Sequence, residues 1–289
     1  MSASGGGSAT PKPSEGPTTS ASLEELLARG VGAVRQAAAF ALDPGEDLRV
    51  EAKAHRNDLV TQVDRGVEER IAGCLEATGI PIHGEEAHRV EDFETYCGRA
   101  WVLDPIDGTL NYVSTHRDWA ISLALVDDGV PVLAVLADPV AGRLYTAVRG
   151  RGVRVKPLTG EAVGCDGVAS KALEPVKDLP LSEGMVIAHY QLTQHAGIGR
   201  AIEGSRGMRC YGAAALEMAE VAAGGAVVYA QPLLQPWDVA AGALLCTETG
   251  VVLTRMDGSA FDVRRAGSLL VGSPAAHAKV LEYLSPDRC

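Results

Sequence analysis

The chain has little positive charge, no paired cysteine motif and no long apolar run, and each absence excludes a class of protein. Lys and Arg total 26 against 37 Asp and Glu, which gives a formal net charge of −11 over 289 residues. Such an acidic chain has no sequence-wide basic surface with which to bind nucleic acid polymers or anionic membranes. Any phosphate compound that it binds must therefore be held by a local feature or by a bound metal ion.

The six cysteines are scattered, with no CxxC pair and no zinc-type spacing to histidine. A chain of this length does not need a disulfide scaffold, so we predict a reducing, cytoplasmic location. The longest uncharged stretch, residues 221–237, is interrupted by glycines and prolines, and no segment is predicted to span a membrane. Residues 1–21 are rich in Ser, Gly, Pro and Thr without an apolar segment, and they are predicted to form a disordered tail.

Apolar periodicity divides the rest of the chain into two parts. Ser22, followed three residues later by Glu25, predicts a capped helix, and a second helix is predicted after Asp64. Strand-like runs separated by turn signals predict an antiparallel meander over 120–155, and strands alternate with helices from about residue 170. We therefore expect a mixed α+β and α/β fold. The predicted subdomains are an N-terminal one over 22–168, carrying a metal and phosphate site, and a C-terminal one over 169–289 that completes it.

Acidic residues cluster in three places where a predicted apolar strand ends or a helix begins. The three clusters are Gly84-Glu85-Glu86, the segment DPIDGT from Asp104 to Thr109, and Trp237-Asp238 at the start of an Ala-rich helix. Strand ends and helix starts are where α/β folds gather their ligands.

The middle cluster is the most informative of the three. Pro105 fixes the backbone between Asp104 and Asp107, so that both carboxylates can point to one place. Gly108 and Thr109 then begin a predicted helix, whose free N–H groups favour a phosphate. Two carboxylates about 4 Å apart repel by roughly 4 kcal/mol at an effective dielectric constant near 20. Carboxylates beside an anion site therefore indicate Mg²⁺ between them, as in multi-metal phosphoryl-transfer sites.

Each acidic residue also has an ordinary structural interpretation. Glu85 and Glu86 alone could be a solvated charge pair, and Asp238 alone could be a helix N-cap. The flanking His83 and His88 are interpreted as polar surface residues, because hard Mg²⁺ sites prefer oxygen ligands. The presence of all three clusters in one chain, with DPIDGT intact, favours a shared site.

Three segments together resemble the inositol monophosphatase superfamily of metal-dependent, lithium-sensitive phosphatases. They are GEE at 84–86, WVLDPIDGTLNY at 101–112 and PWDVAAG at 236–242. The resemblance extends to Lys53, to the segment NDLVTQVD that ends at Asp64, to YTAVRGRG at 145–152 and to GAAA at 212–215. It covers roughly residues 22–285.

The resemblance implies ligands for two to three Mg²⁺ ions, for which Mn²⁺ would substitute. Glu85, Asp104 and the carbonyl of Ile106 match the ligands of a first metal, and Asp104, Asp107 and Asp238 match those of a second. Glu85 would also hold a weaker third ion.

Roles toward water and substrate are implied in the same way. Asp64 and Thr109 match the pair that orients and deprotonates the attacking water, and Glu85 is the third predicted catalytic residue. Phosphate and substrate contacts are implied for Asp107, Gly108, Thr109, Gly212, Ala213, Ala214 and Gln231. Gln231 departs from the family pattern, which typically has a glutamate that accepts from substrate hydroxyls. A neutral amide can both donate and accept, which puts myo-inositol phosphate as the substrate in doubt.

The resemblance implies a layered α-β-α-β-α sandwich, usually a homodimer, and a Mg²⁺-dependent phosphomonoesterase. The expected substrate is a small polyol, cyclitol or sugar monophosphate, hydrolysed by in-line attack of a metal-activated water. Two alternatives within the enzymes share the signature, a nucleotide 3′-phosphatase and a histidinol-phosphate phosphatase. A catalytically silent metal-binding or interaction protein is the non-enzymatic alternative, since fold alone does not establish function.

Overall fold

The computed structural model describes residues 21–44, 50–52, 59–159 and 170–285. Almost all of the predicted tail, and Lys53, lie outside the described residues. The helices are α1 (Leu23–Leu42), α2 (Gln62–Leu75), α3 (Thr109–Ser114), α4 (Ala196–Glu203), α5 (Ala214–Ala222), α6 (Pro236–Glu248) and α7 (Pro274–Leu284). The strands are β1 (Val50–Ala52), β2 (Leu59–Thr61), β3 (Ile82–Gly84), β4 (Arg99–Asp107), β5 (Ala120–Asp127), β6 (Val130–Asp138), β7 (Arg143–Val148), β8 (Val153–Pro157), β9 (Lys171–Ala172), β10 (Val186–Ala188), β11 (Met208–Arg209), β12 (Val228–Leu234), β13 (Val252–Thr254) and β14 (Gly267–Gly272).

The larger sheet has seven strands in the order β3-β4-β5-β6-β7-β8-β9. Every neighbouring pair from β4 to β9 is antiparallel, so the predicted meander is confirmed, and only β3 is parallel to its neighbour β4. Helices α1 and α2 cover one face of this sheet. Leu26, Val67 and Trp101 are fully buried in the core between them, which closes this face to water.

The second sheet has five strands in the order β11-β10-β12-β14-β13. Strands β11, β10 and β12 are parallel, and β14 is antiparallel to both β12 and β13. Helices α4 and α7 pack together on its outer face over a core that contains Val186, Ile198 and Val280.

Helices α5 and α6 lie between the two sheets and complete a five-layer α-β-α-β-α sandwich, which confirms the fold implied by the resemblance. Their small side chains let the two helices approach closely. A Cβ atom added at Gly242 of α6 would come within 2.8 Å of the Met218 Cβ on α5. The alanine-rich composition of both segments is therefore a packing feature of the central layer.

Three element boundaries differ from the prediction, and all three bear on acidic residues. Strand β4 does not end at Leu103 but continues to Asp107. Helix α2 begins at Gln62, so that Asp64 lies in its first turn. Helix α6 begins at Pro236 with Gln235 as its N-cap, and the alternative interpretation of Asp238 as the N-cap is wrong.

The capping box at the start of α1 is confirmed. The Glu25 N–H donates to Ser22 Oγ at 3.3 Å, and the Ser22 N–H donates to Glu25 Oε2 at 2.8 Å. Ser22→Ala removes one of these bonds, and we expect it to lower the free energy of unfolding by about 1 kcal/mol. Urea unfolding measures this loss; an unchanged midpoint would show that the first turn of α1 frays in the native state.

Among the described helices, none has both the length and the apolar character that a membrane span requires. The cysteines within the described ranges, Cys74, Cys97, Cys210 and Cys246, carry free thiols.

Candidate metal and phosphate site

The parallel pairing of β3 with β4 brings the first two acidic clusters together. Gly84 pairs with Leu103, so the next residues lie side by side, with Glu85 just past the end of β3 and Asp104 still within β4. The Glu85 N–H donates to the Leu103 carbonyl at 3.2 Å, which fixes this juxtaposition. The register of β3 against β4 therefore explains why the first two acidic clusters lie next to each other.

A local irregularity in β4 sets the direction of its two aspartates. Residues three apart on a regular strand point to opposite faces. The register with β5 shifts between Asp104 and Asp107, where Pro105 has no N–H to donate. Both aspartate side chains are buried. The predicted rigid Pro105 turn is thus an interruption inside a strand.

A residue of β5 positions the third cluster, Trp237-Asp238, next to the first two. Ser122 pairs with Asp104 across the β4–β5 ladder, and its hydroxyl donates to the Trp237 carbonyl at 3.4 Å. This contact places the first turn of α6, and with it Asp238, beside Asp104.

Asp104 lies at the centre of a ring of like charges. Burial raises the pKa of Asp104 well above its ordinary value, and four neighbouring carboxylates raise it further. These neighbours are Glu85, Asp107, Asp238 and Asp64, in decreasing order of effect. The Asp104 Oδ1 atom is buried and has no hydrogen-bond partner. A buried, unpartnered carboxylate oxygen among acidic side chains fits a hard divalent cation, which takes oxygen ligands.

Asp107 joins the end of β4 to the start of α5. Its Oδ1 and Oδ2 accept the N–H groups of Ala214 and Ala215 at 3.1 and 2.7 Å. Burial and the charge of Asp238 raise the pKa of Asp107, and the two N–H donors oppose the rise. One carboxylate therefore satisfies two free N–H groups at the N-terminus of α5.

Asp238 is held by its own helix. Its Oδ2 accepts the N–H of Gln235 at 2.8 Å. Burial raises the pKa of Asp238 to about 6, although the Gln235 N–H and a hydrogen bond with Asp104 lower it.

Within the part of the chain that the structure describes, no three acidic, histidine or cysteine side chains already converge as a ready ligand set for a metal ion. Backbone N–H groups hold Asp107 and Asp238. The ligand assignment from the sequence, including the Ile106 carbonyl, therefore stays a prediction. A cation would have to compete with these hydrogen bonds.

The predicted water-orienting pair is brought together from distant parts of the chain. Asp64 is fully buried in α2, and its Oδ1 lies 3.2 Å from Thr109 Oγ1 in α3. The same hydroxyl lies 3.1 Å from the Ile106 carbonyl oxygen. One hydroxyl proton can serve only one of these two acceptors at a time.

Gly108 is the N-cap of α3 and needs the conformation that glycine alone adopts freely. Its φ is 86°, and an added Cβ would come within 3.1 Å of both Ala213 Cβ and the Asp118 carbonyl oxygen. The first turn of α3 and the start of α5 are therefore in direct contact at this position.

Gly108→Ala is expected to lower the free energy of unfolding by roughly 1–3 kcal/mol from backbone strain alone, with a further loss from crowding. Gly142→Ala is the matched control, because Gly142 has a φ of 65° and open space around the added Cβ. Urea unfolding of both variants measures the difference. Equal losses would mean that the α5 segment moves aside without cost.

The segment before α5 is held by two side chains that sequence reasoning missed. Glu217 Oε1 accepts the N–H groups of Tyr211 and Gly212 at 2.6 and 3.0 Å. Asn111 Nδ2 donates to the carbonyls of Tyr211 and Asp118 at 2.6 and 2.8 Å. For Asn111, its place in the DPIDGT-x-N segment was the sequence feature that could have indicated a role. For Glu217 no such feature was available, because an acidic residue in a helix is usually a surface charge.

Three of the predicted substrate residues lie in this segment and at the start of α5, and Gln231 lies on β12. Gly212 is exposed, Ala213 is the buried N-cap of α5, and Ala214 is its first residue. Gln231 lies on β12, half-buried, and its Oε1 has no hydrogen-bond partner.

Of the two histidines beside Glu85 that were predicted to be polar surface residues, His83 is buried, which corrects the prediction, and the His88 side chain is partly exposed. His83 is buried and stacks on Phe93 with ring centroids 4.0 Å apart. Burial, together with the charge of Arg89, lowers the pKa of His83 to about 4. His88 is bound to the buried carboxylate of Glu68. His83 is therefore a core residue, whereas the His88 side chain is partly exposed and bound through one ring nitrogen.

Comparisons with known proteins identify the family and the fold. Residues 19–286 match the model of the inositol monophosphatase family. The inositol-1-monophosphatase of Bacillus subtilis (strain 168) is 33% identical over 247 residues, which cover 82% of this chain and 87% of that protein. A staphylococcal IMPase-I complexed with products is 25% identical with a TM-score of 0.80, over 92% of this chain and 97% of that one. An IMPase/NADP phosphatase complexed with Mg²⁺ and phosphate is 25% identical with a TM-score of 0.77, over 92% and 96% of the two chains.

Proposed function

Since this chain belongs to the inositol monophosphatase family and is a phosphoric monoester hydrolase, we propose that it is a Mg²⁺-dependent phosphomonoesterase acting on a small polyol, cyclitol or sugar monophosphate. One observation carries the proposal: the buried Asp104 Oδ1 has no partner and lies among four other carboxylates. A net charge of −11 and this local concentration of acids repel a phosphate ester unless cations lie between them.

Five side chains and one carbonyl are the proposed metal-binding groups. Glu85, Asp104 and the Ile106 carbonyl would hold one ion, and Asp104, Asp107 and Asp238 a second, with Glu85 also available to a weaker third. Bound divalent cations neutralise phosphate oxygens and make a bound water acidic enough to attack at neutral pH. Mn²⁺, with similar ligand preferences, is expected to replace Mg²⁺.

The residues of the chain position the water and the ester. Asp64 accepts the Thr109 hydroxyl proton, which leaves a Thr109 Oγ1 lone pair to accept a proton from the attacking water. The backbone N–H groups of Gly108 and Thr109 would hold the phosphate. A proton passes from the water to the Thr109–Asp64 pair as the new P–O bond forms. The P–O bond to the ester oxygen breaks in line with it, and that oxygen takes a proton from solvent to become the alcohol.

We assign the non-phosphate end of the substrate to Gln231 on β12 and to the start of α5. The unpartnered Oε1 of Gln231 would accept a hydroxyl proton there, which favours a polyol, cyclitol or sugar over an apolar alcohol. The nucleotide alternative has one specific observation in its favour, the similarity to a protein named IMPase/NADP phosphatase. Since NADP carries a 2′-phosphate, this favours a nucleotide phosphomonoester as the second candidate.

Phosphate release from a panel of monoesters tests the proposal. We expect turnover of cyclitol and sugar monophosphates that requires added Mg²⁺ and is abolished by a chelator. Preference for adenosine 3′,5′-bisphosphate or a nucleoside 2′-phosphate would indicate a nucleotide phosphatase instead. Preference for histidinol phosphate would indicate a histidinol-phosphate phosphatase. Mg²⁺ binding without turnover of any monoester would favour the silent homologue.

We also propose a homodimer, which the family resemblance implies, and a cytoplasmic location, which the scattered cysteines indicate. The proposed subdomains are an N-terminal one over 22–168 and a C-terminal one over 169–289. Sedimentation equilibrium measures the first of these expectations, and a single monomeric species would contradict it.

A further inference from the structure

A buried carboxylate that the proposed reaction does not use lies directly behind Glu85. The Glu68 side chain is 1% exposed. It lies on α2 one turn after Asp64, so both acids occupy the same face of that helix. A fully buried carboxylate is costly unless it is hydrogen-bonded, so its partners indicate what it does.

Four donors surround this carboxylate, and three of them are successive backbone N–H groups. Glu68 Oε2 accepts the N–H of Glu86 at 2.9 Å, and Oε1 accepts those of Ala87 and His88, both at 2.8 Å. His88 Nδ1 lies 2.7 Å from the same Oε1. Successive N–H groups that converge on an anion form a nest, which orders the backbone that supplies them.

The turn is closed around the carboxylate so tightly that it excludes a side chain. A Cβ added at Gly84 would lie 3.0 Å from three atoms of the Glu68 carboxylate. The Gly84 N–H donates to the His88 carbonyl at 2.8 Å, which closes the ring of residues 84–88. Burial by itself would raise the pKa of Glu68, but the donors of His88, Ala87 and Glu86 outweigh it and lower the pKa.

The residue that this turn carries is Glu85. Its N–H is bound to the Leu103 carbonyl, and its carbonyl accepts from Arg89 Nη2. The N–H group of each residue from 84 to 88 thus has a fixed acceptor. The direction of the Glu85 side chain relative to Asp104 therefore depends on the carboxylate at the centre of the turn.

We propose that Glu68 is a positioning residue, whose carboxylate holds the 84–88 turn so that Glu85 faces Asp104 ready to ligate a divalent cation. The inference rests on the proposed function, because it needs Glu85 to be a metal ligand. Groups that orient metal ligands typically change metal affinity by about 10- to 100-fold when they are removed.

Glu68→Gln tests this role at nearly constant volume, since the amide keeps one acceptor and turns the other into a donor that opposes an N–H group. Glu69→Gln is the matched control, with the same change of charge on the next, exposed residue of α2. Mn²⁺ binding to the substrate-free protein is measured by calorimetry, and amide hydrogen exchange is measured at residues 86–88. We expect Glu68→Gln to bind Mn²⁺ about 10- to 100-fold more weakly with faster exchange at these amides, and Glu69→Gln to match the wild type.

The outcomes separate this inference from the proposed function. If the wild type binds no Mn²⁺ and releases no phosphate, the proposed function fails and the inference with it. If the wild type binds Mn²⁺ and Glu68→Gln binds it equally well, only the inference is overturned.

A second variant decides the matter if Glu68→Gln does not fold. His88→Ala removes one of the four donors from a side chain that is 40% exposed, so the fold should tolerate it. We expect its Mn²⁺ affinity to fall about 2- to 5-fold, less than in Glu68→Gln, because the variant loses one hydrogen bond while the three backbone N–H donors remain. Unchanged affinity in this variant would overturn the role of the nest.

Discussion

Asp104→Asn is expected to remove turnover and, in the absence of divalent cations, to make the protein more stable. The substitution keeps the size of the side chain and removes a charge that, in our proposal, binds both metals. We expect the transition state to lose about 4 kcal/mol of charge stabilisation, which corresponds to a fall in turnover on the order of 10³-fold.

The gain in stability has a separate cause. Asp104 is buried with an unpartnered oxygen, and four carboxylates raise its pKa, so its ionised form is unfavourable in the cation-free fold. Replacing it by a neutral amide removes that repulsion, and we expect a rise in melting temperature of about 2–4 °C per kcal/mol recovered.

The same unfavourable ionisation makes the stability of the cation-free protein fall as the pH rises. A carboxyl group whose pKa is raised by folding contributes most stability below its unfolded value, near 3.8, and that stability is lost as the pH rises through its folded value, about 6 for Asp238. The cation-free wild type should therefore melt at a lower temperature at about pH 7 than at about pH 5, and Asp104→Asn should show a smaller difference.

Calorimetric melting with and without Mg²⁺, beside a phosphate-release assay, measures these effects. Asp43→Asn is the control, since it makes the same charge change at an exposed residue beyond the end of α1. If Asp104→Asn kept near wild-type turnover, the reaction would take place elsewhere on the molecule.

Thr109→Val is expected to lower turnover by about 10²- to 10⁴-fold, the range of a lost acid–base group, with little change in KM or in Mn²⁺ affinity. Valine has almost the same shape but no hydroxyl, so Asp64 loses the group 3.2 Å from its Oδ1. The phosphate-binding backbone and the proposed metal ligands are unaltered, which is why binding should be preserved.

Steady-state kinetics of Thr109→Val beside Thr115→Val separates this role from a general effect of removing a hydroxyl. Thr115 follows the same helix, is exposed, and donates only to backbone carbonyls. Turnover within tenfold of the wild type would exclude the Thr109 hydroxyl from proton transfer, and a large loss of Mn²⁺ affinity would show that it supports the metal ligands instead.

Local patterns predicted most of the elements, since caps, apolar periodicity and turn residues act over a few positions. The Ser22 and Glu25 capping box and the meander over 120–155 are examples. Prediction failed where a long-range contact outweighed the local signal. Pro105 suggested a turn, yet pairing with β5 carries β4 through it to Asp107, at the cost of one irregularity in the ladder.

Buried carboxylates were the other failure, for a general reason. Glu68 and Glu217 have the composition of surface charges, and acidic residues are rarely fully buried. Each becomes favourable inside this fold only because backbone N–H groups from a segment distant in sequence or across a turn converge on it. The direction of those N–H groups is a property of the assembled backbone and leaves no mark in the sequence.

By itself, the sequence determined which family the chain resembles and which residues are the candidates for the chemistry, because spacing along the chain records the identity and order of acidic groups. Only the tertiary structure decided how those groups meet: parallel register sets Glu85 beside Asp104, a Ser122 hydroxyl joins α6 to the same strand, and α2 delivers Asp64 to Thr109. These contacts join segments far apart in the chain, and their geometry depends on the packing of all five layers at once.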